Sequence, residues 1–179
     1  MKTNAIMLAN YFVDKYNSEK ETCEYPLDLL RIVKYVYISY GYALAILDRC
    51  VIDTRFDKVE AWRYGPVIPS VYHSFKYNRT NPITEKSVVV VNEFGGIDDF
   101  KTPELDKDDR ELRMILDFVW NSYKVKTSSE LIDILHQKNT PWSVVYEDGL
   151  NKEIPQDYTK LYYSRLFEVQ TDSKWKSRI

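Results

Sequence analysis

The imidazole and thiol groups that could carry chemistry in this chain are few and widely separated. The only histidines are His73 and His136, and the only cysteines are Cys23 and Cys50. Zinc sites draw on such ligands, but they usually place them in closely spaced pairs, which this sequence lacks. It also lacks a glycine-rich phosphate loop, a nucleophile elbow and a His-Glu-x-x-His motif. We therefore expect no metal, no cofactor and two reduced cysteines.

Two nucleic-acid functions remain as alternatives. Arg63 with His73 or His136 could form an acid–base site for an enzyme that acts on nucleic acid. The segments Ser129–Lys138 and Pro141–Tyr146 could instead form a helix-turn-helix of a DNA-binding regulator. The net charge of −2 disfavours direct nucleic-acid binding, because such proteins usually carry a basic excess.

The segment Glu60–Pro69 has the most unusual composition in the chain, with the sequence EAWRYGPVIP. Pro66 biases Gly65 away from helical backbone angles, and Pro69 suits the first turn of a helix. The segment is thus predicted to be a strand end or loop that turns sharply into a helix. Trp62 is expected to pack against the helix that carries Lys34 and Tyr37.

The same segment and the predicted helix after it supply the candidate partner-binding residues. These are Arg63, Tyr64, Tyr72 and His73. Trp, Tyr and Arg dominate the hot spots of protein interfaces. The chain contains 15 tyrosines, a residue type that is enriched at interfaces. We expect Arg63 and Tyr64 to face solvent.

Hydrophobic periodicity predicts a mainly α fold: a compact helical domain around a central buried helix, with a small β element of two or three short strands. The predicted helices begin at Ala5, at Pro26 (running to Leu47), at Ser70, at about Lys107, after the Thr127 capping box, at Pro141 and after Pro155. Ser87–Val91 is predicted as a strand and Glu93–Asp106 as an acidic loop that contains Gly95-Gly96.

Two residues of the predicted central helix are unusual for a buried element. Lys34 lies among apolar residues, so it is expected either to reach the rim of the helix or to pair with a buried carboxylate. Gly41 lowers helix propensity, and the close approach of another element would explain it. We find no signal peptide and no apolar stretch of membrane-spanning length, and therefore expect a cytoplasmic protein without membrane contact.

The order of these motifs resembles the Panacea domain, a phage-associated, SocA-like antitoxin domain. Ile32–Leu44 is similar to its Lys-Tyr-Gly helix, and Glu60–Pro69 to its Ala-Trp-Arg-Tyr-Gly-Pro signature. Leu135-His136, Pro141-Trp142 and Ile154-Pro155 resemble its later motifs, and Met7–Val13 its opening. Carried onto this chain, the structural signature comprises Lys34, Tyr37, Gly41, Trp62, Gly65, Pro66, His136, Pro141 and Trp142.

The resemblance implies an antitoxin that neutralises a cognate protein toxin by direct contact, with the toxin encoded in a neighbouring gene. A proteolytic adaptor that delivers a partner to a protease is the alternative within the family. Neither role implies catalysis. The resemblance spans about residues 6–167, so we expect one domain over residues 1–167, followed by a polar tail over residues 168–179.

Overall fold

The computed structural model describes residues 3–93 and 97–176, and the structure is 54% helical. The described residues form seven α-helices and five short strands, which lie in two small antiparallel sheets. In chain order the elements are α1 (Ala5–Glu19), α2 (Leu29–Leu47), β1 (Glu60–Trp62), β2 (Gly65–Val67), α3 (Pro69–Phe75), a 3-10 turn (Lys76–Asn78), β3 (Val89–Glu93), β4 (Ile97–Lys101), α4 (Arg110–Tyr123), α5 (Ser128–His136), α6 (Pro141–Val145), β5 (Lys152–Glu153) and α7 (Gln156–Lys176). The predicted mainly α class is confirmed, with more strands than expected.

Helix α2 is the centre of the fold, as predicted. Every residue from Arg31 to Leu44 is buried, and the helix packs against α1, α3, α4, α5, α7 and β2. It begins at Leu29 and not at the predicted Pro26, because the carboxylate of Asp28 accepts a hydrogen bond from the backbone N–H of Arg31 at 2.9 Å. That bond caps the first turn of the helix.

Among the described helices, α2 is the one that is long and apolar enough to cross a membrane. It is mostly buried within the protein, and the core helices of soluble proteins meet the same criterion. The sequence-based statement that no apolar stretch reaches membrane-spanning length is thus wrong by length and composition for α2.

Gly41 lies at the contact between α2 and α7. A Cβ atom at this position would lie 2.2 Å from two carbons of the Tyr163 ring, which is far inside van der Waals contact. Tyr163 is itself buried and meets the Tyr37 ring edge-on, with 6.0 Å between centroids. The Tyr37 hydroxyl is buried near that of Thr159, and burial raises the pKa of Tyr37 well above its usual value. The expected close approach at Gly41 is thus observed.

The acidic-loop prediction for Glu93–Asp106 is wrong in its middle part. Ile97–Lys101 forms β4, which pairs antiparallel with β3 from Val89↔Lys101 to Glu93↔Ile97. The β-branched strand β3 needs a partner for its backbone groups, and the next segment of chain supplies it. Gly95-Gly96 lies outside the described residues.

Helix α7 continues to Lys176 and so extends into the polar tail that we predict over residues 168–179. No proline or glycine follows Pro155, so the sequence contains no strong helix breaker in this region. The single-domain organisation remains a prediction.

A substitution at Gly41 tests whether packing or helix propensity determines stability at this position. We expect Gly41→Ala to lower the free energy of unfolding by about 1–3 kcal/mol, because the added methyl group overlaps the Tyr163 ring. In an exposed helix the same change would instead raise stability by about 1 kcal/mol. Urea denaturation measures the difference. In a Tyr163→Leu background, which removes the ring, the loss should largely disappear; a stabilising effect in the wild-type background would contradict this packing.

Candidate functional site

The unusual segment folds into a two-stranded hairpin made of β1 and β2. Trp62 lies opposite Gly65 in the ladder, so Arg63 and Tyr64 form a two-residue turn. Both turn residues are exposed, whereas Trp62 is half-buried. Strand β5 pairs with the other edge of β1 and completes a three-stranded sheet.

Helix α3 follows the hairpin directly and is fixed by a residue that precedes it in the chain. Pro69 occupies its first turn, and Ile68 offers no side-chain cap. The buried carboxylate of Asp57 takes that place, accepting hydrogen bonds from the Ser70 backbone N–H at 3.1 Å and from its hydroxyl at 2.7 Å. The turn from β2 into α3 is therefore fixed by a helix cap that a residue outside the helix supplies.

The side-chain amine of Lys34, on helix α2, forms a hydrogen bond with the hairpin. Its Nζ donates a hydrogen bond to the carbonyl oxygen of Pro66 at 2.9 Å. Gly65 has a φ of +103°, and a Cβ atom there would lie 3.1 Å from Lys34 Nζ and 3.5 Å from His136 Nε2. Glycine suits position 65 for two reasons: it adopts this positive φ without strain, and it leaves room for Lys34 and His136.

Lys34 meets neither of the two sequence-based expectations. Its side chain is 2% exposed, so it does not reach the rim of the helix. It forms no ion pair with a carboxylate of the described residues, and its hydrogen bond goes to a main-chain carbonyl. Burial lowers the pKa of Lys34 to about 7, because desolvation penalises the charged amine.

His136 anchors the corner between α5 and α6 to the hairpin through Trp142. The two rings stack in parallel, with 3.6 Å between centroids, and Trp142 Nε1 donates to the Trp62 carbonyl oxygen at 2.8 Å. His136 Nε2 is buried and has no hydrogen-bond partner among the described residues. Burial first, and then the nearby Lys34 amine, lowers the pKa of His136 and favours the neutral ring.

Most of the predicted structural signature comes together in this region. Seven of its nine members lie in the hairpin, contact it or form the α5–α6 corner: Lys34, Trp62, Gly65, Pro66, His136, Pro141 and Trp142. The other two, Tyr37 and Gly41, pack against Tyr163 of α7. A shared scaffold role for these residues stays a prediction.

A cleft of about 760 Å³ opens beside the hairpin. Its walls come from the start of α2, the hairpin, α3 and the turn after α3, and from one residue that precedes β5. The lining residues are Leu29, Leu30, Val33, Lys34, Trp62, Arg63, Tyr64, Val67, Tyr72, Lys76, Tyr77, Arg79, Thr80 and Asn151. None of these is acidic, and apart from Thr80 and Asn151 the lining consists of apolar, aromatic and basic side chains.

The cleft contains three of the four candidate partner-binding residues. Arg63, Tyr64 and Tyr72 line it, and Tyr72 meets the Trp62 ring edge-on with 4.8 Å between centroids. His73 is exposed outside the lining and contacts the edge of the Tyr72 ring. Whether these residues bind a partner remains a prediction.

The sequence analysis missed the wall of the cleft that follows α3. Lys76 and Tyr77 lie in the 3-10 turn, and Arg79 follows it with a φ of 52°. All three line the cleft. The signal that could have found them is the run of basic and aromatic residues at the end of the helix that we predict over Ser70–Tyr77.

The residues of the enzyme alternative are not brought into one cleft. Arg63 lines the cleft, whereas His73 and His136 are not among its lining residues. The helix-turn-helix alternative requires a recognition helix, but α6 spans only Pro141–Val145 and its Trp142 is buried against the hairpin. Within the described part of the chain, no three His, Cys, Asp or Glu side chains are grouped as metal ligands.

Burial of Lys34 predicts how stability depends on pH. The pKa of Lys34 is about 7 in the folded state and about 10.4 in an unfolded chain. Between these values the unfolded state binds more protons, so this residue makes stability rise with pH. We expect the unfolding free energy of the wild type, minus that of Lys34→Met, to increase from about pH 7 to about pH 9 by up to about 1.4 kcal/mol per pH unit.

Urea denaturation of both proteins across this pH range provides the measurement. Lys20→Met, at an exposed position, serves as the control, and its difference from the wild type should not change with pH. A pH-independent difference for Lys34→Met would contradict the lowered pKa.

Comparison with known proteins agrees with this arrangement of motifs. The family model described as antitoxin SocA-like, Panacea domain, matches residues 32–143, a range that includes Lys34, the hairpin and Trp142. The chain is also similar to Antitoxin SocA of Caulobacter vibrioides (strain NA1000 / CB15N), with 26% identity over 142 residues, or 79% of this chain and 70% of that protein. No solved structure matches the chain. Since the family model covers more than half of its length, the chain belongs to the SocA-like antitoxin family of Panacea-domain proteins.

Proposed function

We propose that this chain is the antitoxin of a bacterial or phage-borne toxin–antitoxin system and that it neutralises a cognate protein toxin by binding it directly. The observation that carries this proposal is the cleft beside the hairpin. It presents Arg63, Tyr64 and Tyr72 on one concave surface. These residue types supply most of the binding energy at protein interfaces, and the chain belongs to an antitoxin family.

Two long-range hydrogen bonds to the backbone of the hairpin support this role. The inner side of the hairpin is fixed by the hydrogen bond from Lys34 to Pro66 and by the one from Trp142 to Trp62. A preformed surface loses little conformational entropy on binding, and that loss is a main cost of association. The backbone on both sides of the turn is therefore fixed, while Arg63 at the turn is exposed.

Binding is favoured over catalysis by the position of His136. Its Nε2 atom is buried beside Gly65 and does not open into the cleft. A general base must reach the proton that it abstracts. We therefore propose a non-enzymatic protein. From its membership of an antitoxin family we further propose that it is cytoplasmic and that its toxin is encoded in a neighbouring gene.

Delivery of the toxin to a protease remains the alternative mechanism. It shares the docking step and differs in the fate of the toxin. Direct neutralisation leaves the toxin level unchanged, whereas delivery shortens its half-life. Immunoblotting of the toxin after translation is stopped distinguishes the two.

The central prediction concerns growth rescue by the intact chain. Inducing the product of the neighbouring gene alone should arrest growth, and co-expression of this chain should restore it. The two proteins should also co-purify. If the neighbouring product arrests growth and this chain neither rescues the cells nor binds that product, the proposal is wrong.

A matched pair of double variants locates the docking surface. Arg63 and Tyr64 form a cation–ring contact of 5.8 Å at the cleft, and Arg55 and Phe56 form a similar one of 5.4 Å elsewhere on the surface. We expect Arg63→Ser with Tyr64→Ser to weaken toxin binding about tenfold or more and to abolish rescue. Arg55→Ser with Phe56→Ser should do neither. Circular dichroism checks that both variants fold; equal binding by the two would place the surface elsewhere.

A further inference from the structure

The charged side chains that line the cleft are all basic, and the lining contains no acidic residue. Elsewhere many basic side chains form ion pairs, such as Lys58 with Glu153 and Lys160 with Asp48. Arg63, Lys76 and Arg79 form none with the described residues, although all three line one cleft. The chain as a whole has a net charge of −2, so the basic character of this lining is opposite in sign to the net charge of the chain.

Two of these cations are coupled to exposed aromatic rings. The Arg63 guanidinium lies 5.8 Å from the centroid of Tyr64, and the Lys76 ammonium lies 5.3 Å from that of Tyr77. The two rings are 60% and 83% exposed. Such rings offer large contact areas with a polar hydroxyl at the mouth of the cleft.

The inner wall of the cleft is apolar. Leu29, Leu30, Val33 and Val67 contribute aliphatic side chains, and Trp62 and Tyr72 extend this wall. A cavity of about 760 Å³ is large enough to take side chains of a partner. The apolar wall suits an aliphatic or aromatic side chain, and the basic mouth suits carboxylates beside it.

We infer that the cleft binds an acidic segment of a partner protein, in which carboxylates flank an aromatic or aliphatic anchor. This inference rests on the proposed antitoxin role and adds the chemistry that the toxin presents. Single-stranded nucleic acid also favours cations and aromatic rings, but it requires a basic groove that follows its backbone. Here the basic side chains surround a wall of leucine and valine, and the chain carries a net negative charge.

Peptide display on the full chain tests this chemistry with a defined probe. A library of random dodecapeptides is selected against the immobilised protein, and the recovered peptides are synthesised for fluorescence anisotropy. We expect them to be enriched in Asp and Glu beside Trp, Phe or Leu, and to bind more weakly as salt concentration rises. Recovery of basic or uncharged sequences, or of none, would overturn the inference.

Two triple variants with the same change in net charge provide the matched control. The cleft variant is Arg63→Glu, Lys76→Glu and Arg79→Glu; the control is Lys107→Glu, Arg110→Glu and Lys138→Glu, at exposed sites outside the cleft. The cleft variant should bind the recovered peptides about tenfold more weakly or worse, and the control should bind as the wild type does. Equal binding by both variants would contradict the inference.

Two further measurements separate this inference from the proposed function. Rescue of growth by the wild type and equally by the cleft variant would leave the antitoxin role intact and would overturn the acidic-segment inference. Failure of the wild type to rescue or bind the toxin would instead overturn the proposed function.

Tight binding of a fluorescent oligo(dT) probe that is lost in the cleft variant alone would assign the cleft to nucleic acid and overturn the peptide inference.

Discussion

The hydrogen bond from Lys34 Nζ to the Pro66 carbonyl is the constraint on which the candidate site depends. A buried amine needs a polar partner, because an unsatisfied one loses its hydration without compensation. The described residues place no carboxylate in an ion pair with it, so a main-chain carbonyl of the hairpin takes that place. Gly65, directly before Pro66, has a positive φ, and a side chain there would meet both Lys34 and His136.

Once the hairpin is fixed in this way, it organises the elements around it. Trp142 donates a hydrogen bond to the main chain of Trp62, and the His136 ring stacks on Trp142. These two contacts position the α5–α6 corner against the hairpin. On its other edge β1 pairs with β5, and the Ile154 backbone N–H donates to the Val59 carbonyl at 2.7 Å just before α7 begins. Elements that are remote from each other in the sequence are thereby all in contact with one short segment.

The elements that could be predicted from the sequence are those defined by local chemistry. The capping box at Thr127 and the Thr140-Pro141 start are observed as expected, since each depends on residues within one turn. The partner of Lys34 could not be found in this way, because Pro66 lies 32 residues away. Strand β4 was missed because its sequence, IDDFK, has the polar composition of a loop and becomes a strand through pairing with β3.

The two sides of the hairpin differ in how freely they can change. Gly65 and Pro66 are buried, and a substitution there disturbs the support of Lys34 or the space beside it. Arg63 and Tyr64 are exposed at the turn, where most substitutions change stability by less than about 0.5 kcal/mol. The turn can therefore meet a partner without any change in the buried contacts that preserve the fold. This division explains how a sequence signature that identifies the family can lie within the very segment that we propose meets the toxin.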